Sequence, residues 1–261
     1  MLPAGTIAEI ADELARAERE RSVVPRITAR YPEATVEDSY AIQRVRVERA
    51  LADGRRVVGR KIGLTSRAMQ QATGITEPDY GVMLDDTVWA SDATIPFDAY
   101  ANVRIEVELA FVLAAPLEGP GCTLDDVLRA TARVTPALEI LSSRIELEGR
   151  TIVDTIADNA AYGGMVTGGR PVAPDAVDLR WVSALLYRNG TIEETGVAAG
   201  VLGHPATGVA WLAGKLHQHG ARLEAGETIL AGSFTRPVWV QRGDTILCDY
   251  GPLGAISCRF V

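Results

Sequence analysis

From Val103 to Val112 the chain alternates so strictly that a β-strand with two unlike faces is the conformation that fits it. Val103, Ile105, Val107, Leu109 and Phe111 fall on one face; Arg104, Glu106 and Glu108 fall on the other. The apolar set demands a core. The two carboxylates sit about 7 Å apart along the strand, given a rise of about 3.3 Å per residue. Two anions that close repel unless solvent screens them or a cation lies between them. Two readings therefore stand for this face: a solvated strand surface, or one side of a cation site.

The rest of the chain can supply the core. Of 261 residues, 47% are hydrophobic and 23% charged, as in ordinary globular proteins. The length suits one large domain with a smaller attachment, or two domains. The net charge is -8 and no basic run is interleaved with aromatics, which argues against nucleic acid. Three cysteines, Cys122, Cys248 and Cys258, are odd in number and lack a C-x-x-C pair. That argues against a disulfide framework or a zinc site, fits a reducing compartment, and makes Cys248 and Cys258 buried structural thiols. Glu9, Asp12, Glu13 and Glu18 interrupt the apolar N-terminal positions, unlike a targeting peptide. No stretch approaches the ~18 apolar residues of a membrane span. The expectation is a cytoplasmic protein with no membrane partner.

Thr6 with Glu9 has the capping-box spacing and predicts a first helix running to about Arg21. Thr35 with Asp38 predicts a second, which Gly54 stops. Residues 1–54 thus form a helical cap, and 55–261 a body of short strands. In that body, 56–64 is a glycine-bounded β run, Thr65-Ser66 opens a short helix ending near Gly74, and 77–81 is a loop by its Pro, Asp and Gly. Thr123 and Asp126 cap a helix to Ala130, and Val134–Ile140 is a strand carrying Glu139. Asn189-Gly190 marks a type I′ hairpin, and Pro205 opens a helix through His217. A helical cap before a mostly β body makes an α+β protein with a rolled or barrel-like sheet.

Sequential strands commonly pair, so Glu139 can complete a cluster with Glu106 and Glu108. An all-carboxylate set selects magnesium, manganese or calcium over zinc. Magnesium keeps waters that a chelating 2-oxo acid can displace. Lys61, among small and apolar neighbours, is either a snorkelling surface residue or a functional group: a cation for a substrate carboxylate, or a proton shuttle with a depressed pKa. Ser233, Thr235 and Arg236 are either an ordinary turn or a grip for a dicarboxylate. Asp79 and Tyr80 read as turn formers, and Asp158-Asn159 as a helix cap. His204, His217 and His219 sit at helix ends, where structural roles suffice. No nucleophile elbow, P-loop or dinucleotide fingerprint is present.

Several segments together resemble a known family. They are Lys61-Ile62-Gly63-Leu64-Thr65-Ser66, Glu77-Pro78-Asp79-Tyr80-Gly81, Arg104 to Phe111, Pro136-Ala137-Leu138-Glu139, Ala157-Asp158-Asn159-Ala160 and Gly232 to Pro237. The chain is similar in them to the 2-oxo-acid hydratase and decarboxylase branch of the fumarylacetoacetate hydrolase superfamily. The resemblance implies a mixed β-roll body with a small N-terminal helical region, and a large homo-oligomer. It implies Mg2+ or Mn2+ on Glu106, Glu108 and Glu139, with Lys61 and Asp79 as catalytic residues. It implies Ser233, Thr235 and Arg236 in binding a small 2-oxo dicarboxylic acid derived from aromatic-ring cleavage. Decarboxylase members tend to carry Ile at the position of Asp79 and a Gly-Ile-Thr-Ala-Ala loop at 233–237, so the hydratase reaction is favoured. Decarboxylation, C–C bond hydrolysis or a non-catalytic partner role are the rivals. One departure stands out: the family usually has Asp where this chain has Ser142.

Overall fold

The computed structural model describes every residue except 68, 69, 72 and 73. Three helices open the chain: α1 (Ala4–Glu20), α2 (Ile27–Arg30) and α3 (Val36–Ala52). Ile10, Leu14, Ile27 and Ile42 from these helices pack together and onto Ile145 and Ala157 of the body. The capping box at Thr35 forms, with Asp38 N–H donating to Thr35 Oγ1 at 3.2 Å and Thr35 N–H donating to Asp38 Oδ2 at 3.0 Å. The one expected at Thr6 does not. α1 starts three residues earlier, after Pro3, whose extended backbone sets the helix entry without a side-chain cap.

Among the described residues thirteen strands make two mixed sheets. The strands are β1 (Val57–Gly63), β2 (Asp79–Leu84), β3 (Val88–Ala90), β4 (Ala93–Ile95), β5 (Arg104–Leu113), β6 (Thr131–Leu141), β7 (Tyr162–Thr167), β8 (Ser183–Arg188), β9 (Thr191–Val197), β10 (Thr228–Leu230), β11 (Val238–Trp239), β12 (Thr245–Asp249) and β13 (Ala255–Phe260). The larger sheet runs β2-β1-β10-β5-β6-β7-β3, with β11 also on β5; the smaller runs β4-β13-β12-β8-β9. The β1–β10 and β3–β7 pairs are parallel and the other pairs of the large sheet antiparallel. This is the expected α+β roll.

Ile105, Val107, Leu109 and Phe111 are all fully buried, as the alternation of β5 predicts. They share one core with Leu138 and Ile140 of β6, Ile246 and Cys248 of β12, and Cys258 and Phe260 of β13. Burial of each such side chain is worth about 1.5–3 kcal/mol. Both buried cysteines are free thiols. Helix Pro205–His217 covers this core with Val209, Leu212 and Leu216 and begins at Pro205, as predicted. Asn189 and Gly190 both take positive φ in the β8–β9 turn, the geometry of a type I′ hairpin. The helix expected from Thr65-Ser66 to Gly74 lies partly outside the described residues. No helix among the described residues is long and apolar enough to cross a membrane.

Two further predicted assignments fail. Residues 79–81 are not loop: Asp79 opens β2 and pairs with Gly63. Pro78 lacks an N–H, so it ends the loop and leaves Asp79 as the first residue able to join the ladder. Asp158 follows helix Ile152–Ala157 and caps no helix N-terminus with its side chain. Its carboxylate accepts from Arg144, Nε to Oδ1 at 2.5 Å, deep in the body.

Candidate active site

β5 and β6 pair so that Glu106 lies directly opposite Glu139. Glu108 is on the same face of β5, two residues on. Ligand oxygens of the three carboxylates fall within 4.8 Å of one another. Glu108 and Glu139 are fully buried, and Glu106 keeps partial exposure to a cleft. The solvated-face reading of Glu106 and Glu108 is therefore wrong. The loop after β10 closes over the far side, where Gly232 N–H donates to Glu108 Oε2 at 2.8 Å. Tyr250 pins the paired backbones, its hydroxyl donating to Ala137 O at 2.6 Å with Glu108 O at 3.2 Å.

Lys61 enters from β1, three strands from β6 in the sheet order. A flat sheet would hold those strands about 14 Å apart. Yet Lys61 Nζ lies 3.0 Å from Glu139 Oε1, so the sheet curls and its concave face gathers the charges. Lys61 is 2% exposed. Burial works to lower its pKa, but the carboxylates of Glu139, Asp79, Glu106 and Glu108 outweigh it and hold the ammonium above its ordinary range. With no ion on the glutamates, the surroundings thus favour the cation reading of Lys61 over the depressed-pKa shuttle.

Asp79 is 1% exposed, and neither carboxylate oxygen has a hydrogen-bond partner. Burial raises its pKa more than the charges of Lys61 and Arg150 lower it. Space for it exists because residue 63 is glycine: a Cβ there would meet Asp79 Oδ1 at 2.2 Å and Lys61 Nζ at 3.4 Å. Gly63→Ala is expected to displace Asp79 and to lower stability by about 1–3 kcal/mol, read by urea denaturation alongside loss of turnover. β2 itself is clamped from the helical region. Gln43 Nε2 donates to Tyr80 O at 2.9 Å, and the Tyr40 ring stacks on Tyr80 at 4.8 Å. Asn159 exchanges side-chain hydrogen bonds with Val82 N and O at 2.8 and 2.9 Å.

The cleft is lined by Lys61, Asp79, Glu106 and Ser233, joined by Arg104, Arg150 and Thr155. Leu64, Ala160 and Ala161 also line it, with φ of 57°, 54° and 58°. Left-handed backbone costs a non-glycine residue about 1–2 kcal/mol, and such strain gathers at functional sites. Thr235 is tied up in the scaffold, its Oγ1 accepting from Val107 N at 3.4 Å. Ser233 Oγ donates to Thr235 O at 3.0 Å at the cleft wall. Arg236 does not join the cleft: Glu194 on β9 draws its exposed guanidinium away, at 2.7 Å. The arginines that do join, Arg104 and Arg150, were not singled out from the sequence. Arg104 shares the polar face of β5 with Glu106, so alternation held the signal; Arg150 sits in an irregular stretch with none. Ser142 turns from the cleft, accepting from Ala101 N at 3.0 Å.

The carboxylate cluster suits a hard divalent cation. Glu108 Oε1 and Glu139 Oε2 are buried without hydrogen-bond partners, and Glu139 Oε1 faces the Lys61 ammonium. Burial, then the charge of Glu139, pushes Glu106 up to about 7. Burial, then the charges of Glu139 and Glu106, pushes Glu108 well above the usual carboxylate range. Glu139 is raised by burial against the opposing charge of Lys61. Such a set is relieved by a cation that takes several oxygens at once.

Three carboxylates gathered on one face of a mixed sheet could hold a divalent cation, and comparison with known proteins identifies the family of the fold. The chain belongs to the fumarylacetoacetate hydrolase family: the profile described as Fumarylacetoacetate (FAA) hydrolase C-terminal matches residues 50–261. It is 57% identical to the 2-oxo-hept-4-ene-1,7-dioate hydratase of Escherichia coli, over 97% of each chain. It is 39% identical to the 2-keto-4-pentenoate hydratase of Paraburkholderia xenovorans (strain LB400), over 97% of this chain and 94% of that one. Among solved structures, 4-oxalocrotonate decarboxylase from Pseudomonas putida G7, complexed with magnesium and adipate, superposes with a TM-score of 0.97 at 35% identity, covering 100% of this chain and 99% of that one.

Proposed function

We propose that this protein is a cytoplasmic hydratase that adds water to 2-oxohept-4-ene-1,7-dioate to give 4-hydroxy-2-oxoheptane-1,7-dioate. The observation that carries the reading is the buried Glu106–Glu108–Glu139 cluster opening onto one cleft with Lys61 and Asp79. The high identity to a hydratase of that substrate supports the choice of reaction. Glu106, Glu108 and Glu139 hold Mg2+ or Mn2+. That ion supplies Lewis acidity toward the 2-oxo-carboxylate end of the substrate.

The substrate reacts as its dienol, 2-hydroxyhepta-2,4-dienedioate. Protonation at C5 with loss of the enol proton gives the conjugated 3-ene ketone. Water then adds at C4, and a proton added at C3 completes the hydration. Asp79, held toward its protonated form, gives and retakes a proton along C3–C5. Lys61 keeps a fixed positive charge beside Glu139 and steadies the carboxylate end of the substrate. Leu64 to Ser66 and Ala160 to Ala161 form the cleft wall against which the substrate chain lies.

Turnover of the dienol is followed by its ultraviolet band, with mass analysis of the product. Loss of the band with gain of one water is the expected result; carbon dioxide or a cleaved acid as product would refute hydration. Dialysis against a chelator is expected to abolish turnover, with Mg2+ or Mn2+ restoring it. We also infer a homo-oligomer, whose subunit number light scattering reads directly.

A further inference from the structure

We propose that Arg104 and Arg150 form the pocket for the distal carboxylate and thereby select a dioate over a shorter monocarboxylate. This rests on the hydratase reading above. Arg104 follows the polar face of β5 one alternation step beyond Glu106, on the side away from Glu108. Its Cα is therefore about 7 Å along the strand from that of Glu106. A seven-carbon dioate built from bonds near 1.5 Å spans roughly 7 Å between its end carbons. With one end at the glutamates, the other reaches the arginine level.

Arg104 is 6% exposed and held in place. Its Nε donates to Asn102 O at 3.3 Å, and its guanidinium lies over the Trp239 ring, 5.3 Å from the centroid. Its Nη2, however, is buried with no acceptor. Buried donors are almost always matched, and an orphan marks a place where something else completes the bond. Arg150 lines the same cleft, just before helix Ile152–Ala157. Neither arginine has an ion-pair partner among the described residues. Two guanidiniums that repel each other across a cleft are stabilised by an anion between them, and their planar forks match a carboxylate. The other cations nearby are already engaged: Lys61 pairs with Glu139, and Arg236 is taken by Glu194. The second negative charge of a dioate falls to Arg104 and Arg150.

The test compares wild type with Arg150→Gln and Arg104→Lys on 2-hydroxyhepta-2,4-dienedioate and on five-carbon 2-hydroxypenta-2,4-dienoate. Hydrogen bonds to charged groups are worth about 1.5–3 kcal/mol, so the ratio of kcat/KM for dioate over monocarboxylate should fall about 10–100-fold in Arg150→Gln. The loss should sit mainly in KM. Equal losses on both substrates, or none, would overturn the proposal, the first because it assigns the arginines to the shared end of the substrate. Calorimetric binding of adipate against hexanoate, with Mg2+ present, gives a second readout free of turnover. Wild type should prefer adipate and Arg150→Gln should lose that preference; an unchanged preference also overturns the proposal. If neither substrate is hydrated by wild type, the hydratase reading fails while the adipate comparison still decides the arginine pocket. Arg150 is half-buried at the cleft rim, so its variant stands if Arg104→Lys proves unstable.

Discussion

Glu106→Gln is expected to abolish turnover and to uncouple the melting temperature from magnesium. The amide keeps the shape of the side chain but offers one weak oxygen where a carboxylate offered charge. If Lewis acidity supplies about 4 kcal/mol of transition-state stabilisation, its loss lowers kcat by about 10^3-fold. The stability effect has a definite sign. Glu106 ionises at about 7 in the folded chain against its ordinary value of 4.5. Between those values the folded chain keeps a proton that the unfolded chain has lost. Metal-free stability therefore falls as pH rises across that window and stays low above it. The amide of the variant cannot ionise, so metal-free Glu106→Gln should melt higher than metal-free wild type at a pH of about 8. With Mg2+ the order should reverse, because binding to the native state alone raises stability by mass action. Scanning calorimetry of both proteins, with chelator and with Mg2+, reads all four values. The same Mg2+-induced shift in variant and wild type would remove Glu106 from the ligand set.

Much of the scaffold around this cluster is legible in the sequence because local rules and the fold agree there. The alternation of β5, the Thr35–Asp38 box, the Asn189-Gly190 turn and Pro205 each encode a local geometry that the tertiary structure leaves intact. The failures arise where tertiary contact decides. Asp79 looks like a turn residue until β1 gives its strand a partner and Gly63 gives its carboxylate room. Asp158 has cap chemistry, but buried Arg144 claims it. Arg236 has the charge for a carboxylate grip, but Glu194 is closer. Spacing could bring Glu139 beside Glu106, since adjacent antiparallel strands are a short-range matter. It could not bring Lys61 to Glu139, because that meeting depends on the curl of a whole sheet. Nor could it show that the ammonium is held above its normal range, which takes four carboxylates converging from three strands.

Asp79→Asn should lower kcat by about 10^2–10^4-fold, the usual contribution of a positioned acid–base group, while KM changes by only a few-fold. The substitution preserves volume in a site with no spare room, so the Gly63 gap and the β2 clamp stay intact. Outside the glutamate cluster, Asp79 is the carboxyl of the cleft that burial holds toward its protonated form, and the variant removes it. Because the carboxyl keeps its proton to higher pH than an exposed aspartate, the acid step weakens as pH rises through its raised pKa. That limb of the wild-type kcat profile should be missing from the residual activity of the variant. Stability should move the other way. Wild-type Asp79 costs more to hold folded once ionised, so Asp79→Asn should gain on wild type with rising pH. The Mg2+-induced shift in melting temperature should persist, since Glu106, Glu108 and Glu139 are untouched; this separates a lost proton from a lost ion. Full turnover in Asp79→Asn would move the proton transfer to another group. Lys61 is then next in reach, but its ammonium is stabilised by the surrounding carboxylates and would release a proton only when a substrate or ion draws those charges away.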